Sequence, residues 1–320
     1  MLGQRMEREI REQPEVLGRG AEKYRESLGP ILSGRQFEMV LLAARGSSDN
    51  AALFARYLIE IYLGIPVSLA APAVLTRYAS RVRYRNCLAI GISQSGAAPD
   101  VAEVLLSLRE GGHTTLSITN TPGSRLTVEA ESTLLLDAGT EKSVAATKTY
   151  SATLLALYEV VRALGGELPD PKGLLPDDAW IEETFEAASA SSGLIVRSDP
   201  VFALGRGYSF ATAQETALKL MECALISCKS YSSADFEHGP KALAGHGSTA
   251  ISYLGPLPDL ERQGCSIVPS PAGRLEGREM EPLTPIWDIC FAQWTALLCA
   301  RARGLDPDDP RHLNKVTQTR

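Results

Sequence analysis

The sequence predicts an α/β protein of two tandem domains, each a doubly wound parallel sheet flanked by helices. Three observations carry that reading. Short apolar runs of strand length recur, and each ends in a Gly- or Ser-containing turn that opens a stretch with apolar residues at helical spacing. Strand and helix therefore alternate, which calls for right-handed crossovers and parallel strands. The order strand, Arg-Gly, hydroxyl residue, helix occurs twice, in VLLAARGSSDNAALFARYL from Val40 and in VFALGRGYSFATAQETALKL from Val201. The second half thus reads as a duplicate of the first.

In chain order, residues 1–32 hold one or two amphipathic helices punctuated by Pro14, suited to covering a sheet edge or a partner subunit. Phe37 to Ala44 is a nearly continuous apolar run, as expected of a strand buried on both faces. Arg45-Gly46-Ser47-Ser48-Asp49 turns it into a helix that runs to Gly64. Asn86 to Ile92 is the next strand, broken at Ser93-Gln94-Ser95-Gly96 before a helix after Pro99. Strands over Thr114 to Thr119 and Ser132 to Leu136 follow, then a helix from about Val144 to Leu164. These elements make a first domain over 33–166, and the Gly-, Pro- and Asp-rich stretch 167–178 is a linker. The second domain, 179–303, opens with a helix around Trp180 to Ser191, has apolar runs at Val201, Ala250 to Leu254 and Cys265 to Val268, and closes with an apolar helix over Pro285 to Ala302. It is expected to be abridged, because only about ten residues separate its last two runs, barely enough for a helical crossover. Residues 304–320 form an extended tail that carries Lys315.

Composition narrows the function. The chain has 320 residues, 44% of them hydrophobic, enough for a large core. Its net charge of -6 is scattered and leaves no basic stripe for nucleic acid. No apolar run approaches membrane-spanning length, and the charged start MLGQRMEREIREQPE lacks the apolar core of a signal peptide, so a cytoplasmic protein without membrane contact is expected. The six cysteines form no C-x-x-C pair and read as reduced, buried hydrophobes. Four histidines without metal-ligand spacing argue against a metal site. The lack of G-x-G-x-x-G and G-x-x-x-x-G-K-[ST] argues against a dinucleotide or nucleoside triphosphate, so no cofactor is expected.

The densest chemistry lies in ETALKLMECALISCKSYSSADFEHGP, Glu215 to Pro240. Glu215, Lys219 and Glu222 fall on one helix face, and His238 follows after a short loop. Proton-transfer groups are concentrated there. Leu218, Met221, Ala217, Ala224 and Leu225 fall on the opposite face, so the charged stripe reads equally well as the wet side of an amphipathic helix. The strand-end loops of the first domain, rich in Ser, Thr and Gly, read as neutral anion cradles at helix N-termini, a chemistry suited to a phosphate monoester.

Arg45-Gly46-Ser47-Ser48, Ser93-Gln94-Ser95-Gly96, the run Gly139 to Lys148, the block Glu215 to Pro240 and the terminal Leu313-Asn314-Lys315-Val316-Thr317 resemble the double SIS (sugar isomerase) domain family. Within it, the resemblance is to the isomerase half of glucosamine-6-phosphate synthase and to hexosamine-6-phosphate deaminases. It implies a homodimer that acts on a small-molecule sugar phosphate. Ser48, Ser93, Gln94 and Ser95 match phosphate-binding positions, Ser47 the neighbouring loop, and Val144 and Ala146 the sugar-binding run. Glu222 matches the carboxylate that moves a proton between C1 and C2, with Glu215 and Lys219 as its supporting pair. His238 matches the ring-opening histidine shared across subunits, and Lys315 the lysine that forms a Schiff base.

The match has departures. Ala98 and Ala146 stand where the family has hydroxyl residues, which removes one phosphate donor and one sugar contact. Losing a hydrogen bond to a charged group costs about 1.5–3 kcal/mol, so phosphate binding is weakened rather than abolished. No glutaminase domain is expected. The leading expectation is an isomerase or deaminase that converts glucosamine 6-phosphate to fructose 6-phosphate and ammonia. The alternatives are a dehydratase acting on N-acetylglucosamine 6-phosphate through the same proton abstraction, and a non-catalytic sugar-phosphate sensor.

Overall fold

The computed structural model describes residues 1–274 and 280–315. Among these, nine strands form two all-parallel sheets flanked by helices, as the alternating pattern predicts. The first sheet contains β1 (Met39–Ala43), β2 (Val67–Leu69), β3 (Cys87–Ile92), β4 (Thr114–Thr119) and β5 (Ser132–Leu135), in the order β2-β1-β3-β4-β5. The second contains β6 (Val201–Gly205), β7 (Cys228–Ser232), β8 (Thr249–Ser252) and β9 (Ser266–Pro269), in the order β7-β6-β8-β9. The sheet interiors follow from the sequence: β3 and β6 are buried along their whole length, so their side chains are apolar on both faces.

Two strands, β2 and β7, were not expected from the sequence. β2 has three half-buried residues and β7 reads Cys-Lys-Ser-Tyr-Ser, and both are edge strands covered on fewer sides. The strand β7 replaces part of the loop expected between the Glu215 helix and His238. The short spacing between β8 and β9 is bridged by a one-turn helix, Pro258–Arg262, and the two strands still pair in parallel. The second sheet is nevertheless one strand smaller than the first.

The compact units are not contiguous in sequence. One gathers Met1–Pro14, Glu141–Lys148 and Gly173–Lys315; the other holds Glu15–Thr140 and Thr149–Lys172. This differs from a division at residues 33 and 167. Helix Gln4–Arg11 packs on helices Asp178–Arg197 and Thr284–Ala302, and the Gly3 and Met6 amides donate to Asp306 and Asp308.

In contrast to the expectation from sequence, one stretch, Glu281–Ala302, is long and apolar enough by length and composition to cross a membrane. Its residues are mostly buried within its own unit, against Asp178–Arg197 and Tyr208–Ala224, and burial on all sides accounts for an apolar surface all round.

That helix carries one buried acid. Asp288 accepts a hydrogen bond from Ser270, but its Oδ2 has no partner among the described residues. Burial raises its pKa from the ordinary 3.8 to about 7, against the opposing pull of Ser270. The folded state then holds a proton that the unfolded chain has released, so stability falls as pH rises from about 4 to about 7. Asp288→Asn is expected to remove this slope: urea unfolding at pH 8 should show a variant about 2–4 kcal/mol more stable than the parent, with the gap closing near pH 4. Equal gaps at both pH values would show that Asp288 is not protonated in the fold.

Candidate active site

In the first sheet the strand order reverses between β1 and β3, and ligands of such sheets bind beyond the strand ends at that point. The two Ser-rich loops emerge there. Ser47 and Ser48 form the first turn of helix Ser47–Tyr62, reached through Gly46 at φ 56°. Ser93, Gln94 and Ser95 follow β3 and lead to helix Pro99–Glu110. Arg45 donates to the buried Asp100 at 2.8 Å and so ties the first loop to the start of the second helix. The Gln94 carbonyl accepts from the Asn120 amide at 3.0 Å and the Thr119 hydroxyl at 3.2 Å, pinning the loop to the end of β4. Gly96 is obligatory: it sits at φ 61°, and a Cβ there would lie 2.0 Å from Ser124 Oγ. Ser95 Oγ accepts from the Ala97 amide at 3.3 Å. Ala98, at the N-cap of the second helix, supplies no side-chain hydrogen bond, as its residue type dictates. These loops present hydroxyls and helix-start amides to one locality, which is the chemistry of a phosphate cradle.

The acid-base residues lie in the unit built on the second sheet. Glu215, Lys219 and Glu222 stand on helix Tyr208–Ala224, which ends at Leu225 in the left-handed conformation. Glu215 and Lys219 are 0% and 1% exposed, whereas Met221 is 44% exposed. The charged face therefore points inward, and the reading of it as a wet face is overturned. Lys219 Nζ lies 2.6 Å from Glu222 Oε2 and 3.3 Å from Glu215 Oε1. Burial pushes the ammonium pKa down, but the two carboxylates outweigh it and hold Lys219 above the usual lysine range. Held between the two carboxylates, the Lys219 ammonium braces Glu222. The Glu222 side chain remains 25% exposed and borders a cavity of about 180 Å³ with Leu305, Asp306 and Arg311.

His238 caps the short helix Ser233–Glu237, is exposed, and makes no hydrogen bond or ion pair with Glu215, Lys219 or Glu222. Lys315 Nζ donates to Glu141 Oε2 at 2.7 Å, and Glu141 Oε1 accepts from the Thr147 amide at 2.9 Å and hydroxyl at 3.0 Å. Val316 and Thr317 of the terminal motif lie outside the described residues. Val144 and Ala146 are half-buried in an irregular stretch before helix Lys148–Ala163, which starts later than the periodicity predicts. Sequence reasoning did not single out Glu141 or the Arg45–Asp100 pair. Glu141 sits inside a quoted motif, and that was the available signal; nothing local marks Asp100 as the partner of Arg45.

A larger cavity, of about 900 Å³, opens elsewhere on the first-sheet unit and is lined by none of the residues read from motifs.

Residues 35–162 match the family model of the SIS domain. This stretch is a SIS domain. It contains the whole first sheet and both Ser-rich loops; the match does not extend to the second sheet, so a second SIS domain rests on the likeness of the two halves alone. The chain is 32% identical to glutamine--fructose-6-phosphate aminotransferase [isomerizing] of Methanothermobacter thermautotrophicus, over 97% of this chain and 56% of that one. It spans little more than half the length of such relatives. Among solved structures, glucosamine-6-phosphate deaminase of Thermotoga maritima superposes with a TM-score of 0.83 at 25% identity, covering 98% of this chain and 100% of that one. The C-terminal domain of glucosamine-fructose-6-phosphate aminotransferase from Francisella tularensis shares the fold, with a TM-score of 0.78 at 23% identity over 94% and 97% of the two chains.

Proposed function

We propose that the protein is a phosphosugar isomerase-type enzyme that deaminates glucosamine 6-phosphate to fructose 6-phosphate and ammonia. The observation that carries this reading is the inward-facing Glu215–Lys219–Glu222 set, in which a fixed ammonium orients a carboxylate that stays partly open. A binder needs no such arrangement. The Ser-rich loops of the SIS domain anchor the phosphate, and His238, contributed by the partner subunit of a homodimer, takes the proton of the anomeric hydroxyl and opens the ring. Glu222 removes the C2 proton of the open-chain aldehyde and returns it to C1, while the C1 oxygen takes up a proton and the C2 amino group gives one up, leaving a C1 hydroxyl and an imine at C2. Attack by the Lys315 amine forms a Schiff base at C2 and releases ammonia; water then releases fructose 6-phosphate and the lysine. Lys315 must first lose a proton, and Glu141, 2.7 Å away, is the nearest acceptor.

The test is turnover. Glucosamine 6-phosphate is expected to yield ammonium and fructose 6-phosphate in equal amounts. An ultraviolet-absorbing unsaturated product from the N-acetyl substrate alone would instead assign a dehydratase. Saturable binding without either product would assign a sensor and overturn the proposal.

A further inference from the structure

Glu9 lies on the N-terminal helix Gln4–Arg11, far in sequence from every residue assigned a role above, and its side chain is fully buried. No cation pairs with it among the described residues. Its carboxylate accepts instead from the Lys142 amide at 2.5 Å, from the Ser143 amide at 3.2 Å and from the Ser143 hydroxyl. A buried carboxylate is a poor way to gain stability, because an apolar residue of similar volume avoids the desolvation of the charge. Spending one on two consecutive backbone amides fixes a peptide conformation that no regular element would hold.

The far end of the same stretch is held as firmly. The Thr147 amide and hydroxyl donate to Glu141, and the Thr147 carbonyl accepts from the buried Gln293 amide at 3.2 Å. Gln293 in turn accepts from Gln13 at 2.9 Å, and Lys148 pairs with Glu12. Between the two clamps, the Val144 and Ala146 amides have no partner among the described residues. The amides at 142, 143 and 147 are thus satisfied by buried side chains, and those at 144, 145 and 146 have no partner among the described residues.

We propose that Glu9 is a positioning residue: it shapes the segment 141–148 so that the backbone at Val144 and Ala146 is presented to the sugar. This rests on the reading of that segment as sugar-binding under the proposed function. It gives the N-terminal helix a part in substrate affinity beyond covering the fold. It also explains how Ala146 can replace a hydroxyl residue, since the contact comes from peptide groups that Glu9 orients.

Glu9→Ala and Glu9→Gln separate this from a general structural role. In Gln the amide oxygen can take the two backbone amides while its NH2 donates to Ser143 Oγ. Amide hydrogen exchange without ligand is expected to be at least roughly tenfold faster over 142–147 in Glu9→Ala, with helix Tyr208–Ala224 unchanged. KM for glucosamine 6-phosphate should rise about tenfold with kcat within about threefold, and Glu9→Gln should recover most of both changes. Unchanged exchange over 142–147, a rise spread over the whole chain, or an unchanged KM would each overturn the inference. A parent protein that turns over no hexosamine phosphate would count against the proposed function, and Glu9 would then be judged on exchange and on its rescue by Gln alone.

Discussion

Glu222→Gln is expected to lower kcat for glucosamine 6-phosphate by roughly 10²–10⁴-fold, the loss that follows removal of a positioned general acid-base group. The substitution preserves volume, and its amide oxygen still accepts from Lys219, so the buried face keeps its packing and its hydrogen bond. What disappears is the capacity to hold a proton between abstraction at C2 and delivery at C1. Substrate affinity, which the proposed function assigns to Ser48, Ser93, Gln94 and Ser95, should change little, so the defect falls on kcat more than on KM. Parallel urea unfolding curves that overlay with the parent would exclude misfolding as the cause. Full turnover by this variant would mean that the proton moves through another group.

Lys219→Met is expected to reduce stability by about 3–5 kcal/mol, because it leaves two carboxylates, one of them fully buried, without their shared cation. The sign with pH is fixed by the raised pKa of Lys219. A lysine whose folded pKa exceeds its unfolded value stabilises fully below the latter, about 10.4, and loses that contribution only as pH rises through the folded value. The gap between parent and variant should therefore be flat from about pH 6 to about pH 9. Adding Glu215→Leu to Lys219→Met should restore much of the loss, since the buried charge that made it costly is gone. A single variant as stable as the parent would show that the charges on this face are already compensated elsewhere.

The contrast between these two residues marks the limit of a sequence reading. The spacing of Glu215, Lys219 and Glu222 put them on one face, but periodicity is silent on which face of a helix meets the core. The neighbours settle it. Helix Thr284–Ala302 lies against Tyr208–Ala224, and Glu215 and Lys219 are buried while Met221 and Leu225 stay exposed. Central strands were legible because burial on both faces demands an unbroken apolar run, as in β1 and β3. Edge strands β2 and β7 escaped because half-exposed residues carry no such demand.

The loops divide in the same way. Gly46, Gly96 and the serines beside them are dictated locally, by left-handed backbone and helix starts, and a sequence shows such turns directly. The hydrogen bonds that fix these loops are long-range: Arg45 to Asp100, Gln94 to Asn120, Glu141 to Lys315, Glu9 to Ser143.

The sequence by itself determined the alternation of strand and helix, the Ser-rich turns after β1 and β3 and the shared helix face of Glu215, Lys219 and Glu222. Each of these follows from residue type and spacing along one element. Only the tertiary structure decided that the charged face is buried, that the N-terminal helix belongs with the second sheet, and that Lys315 meets Glu141. These depend on which elements pack together, because burial and ion pairing are properties of neighbours in space and no local pattern encodes them.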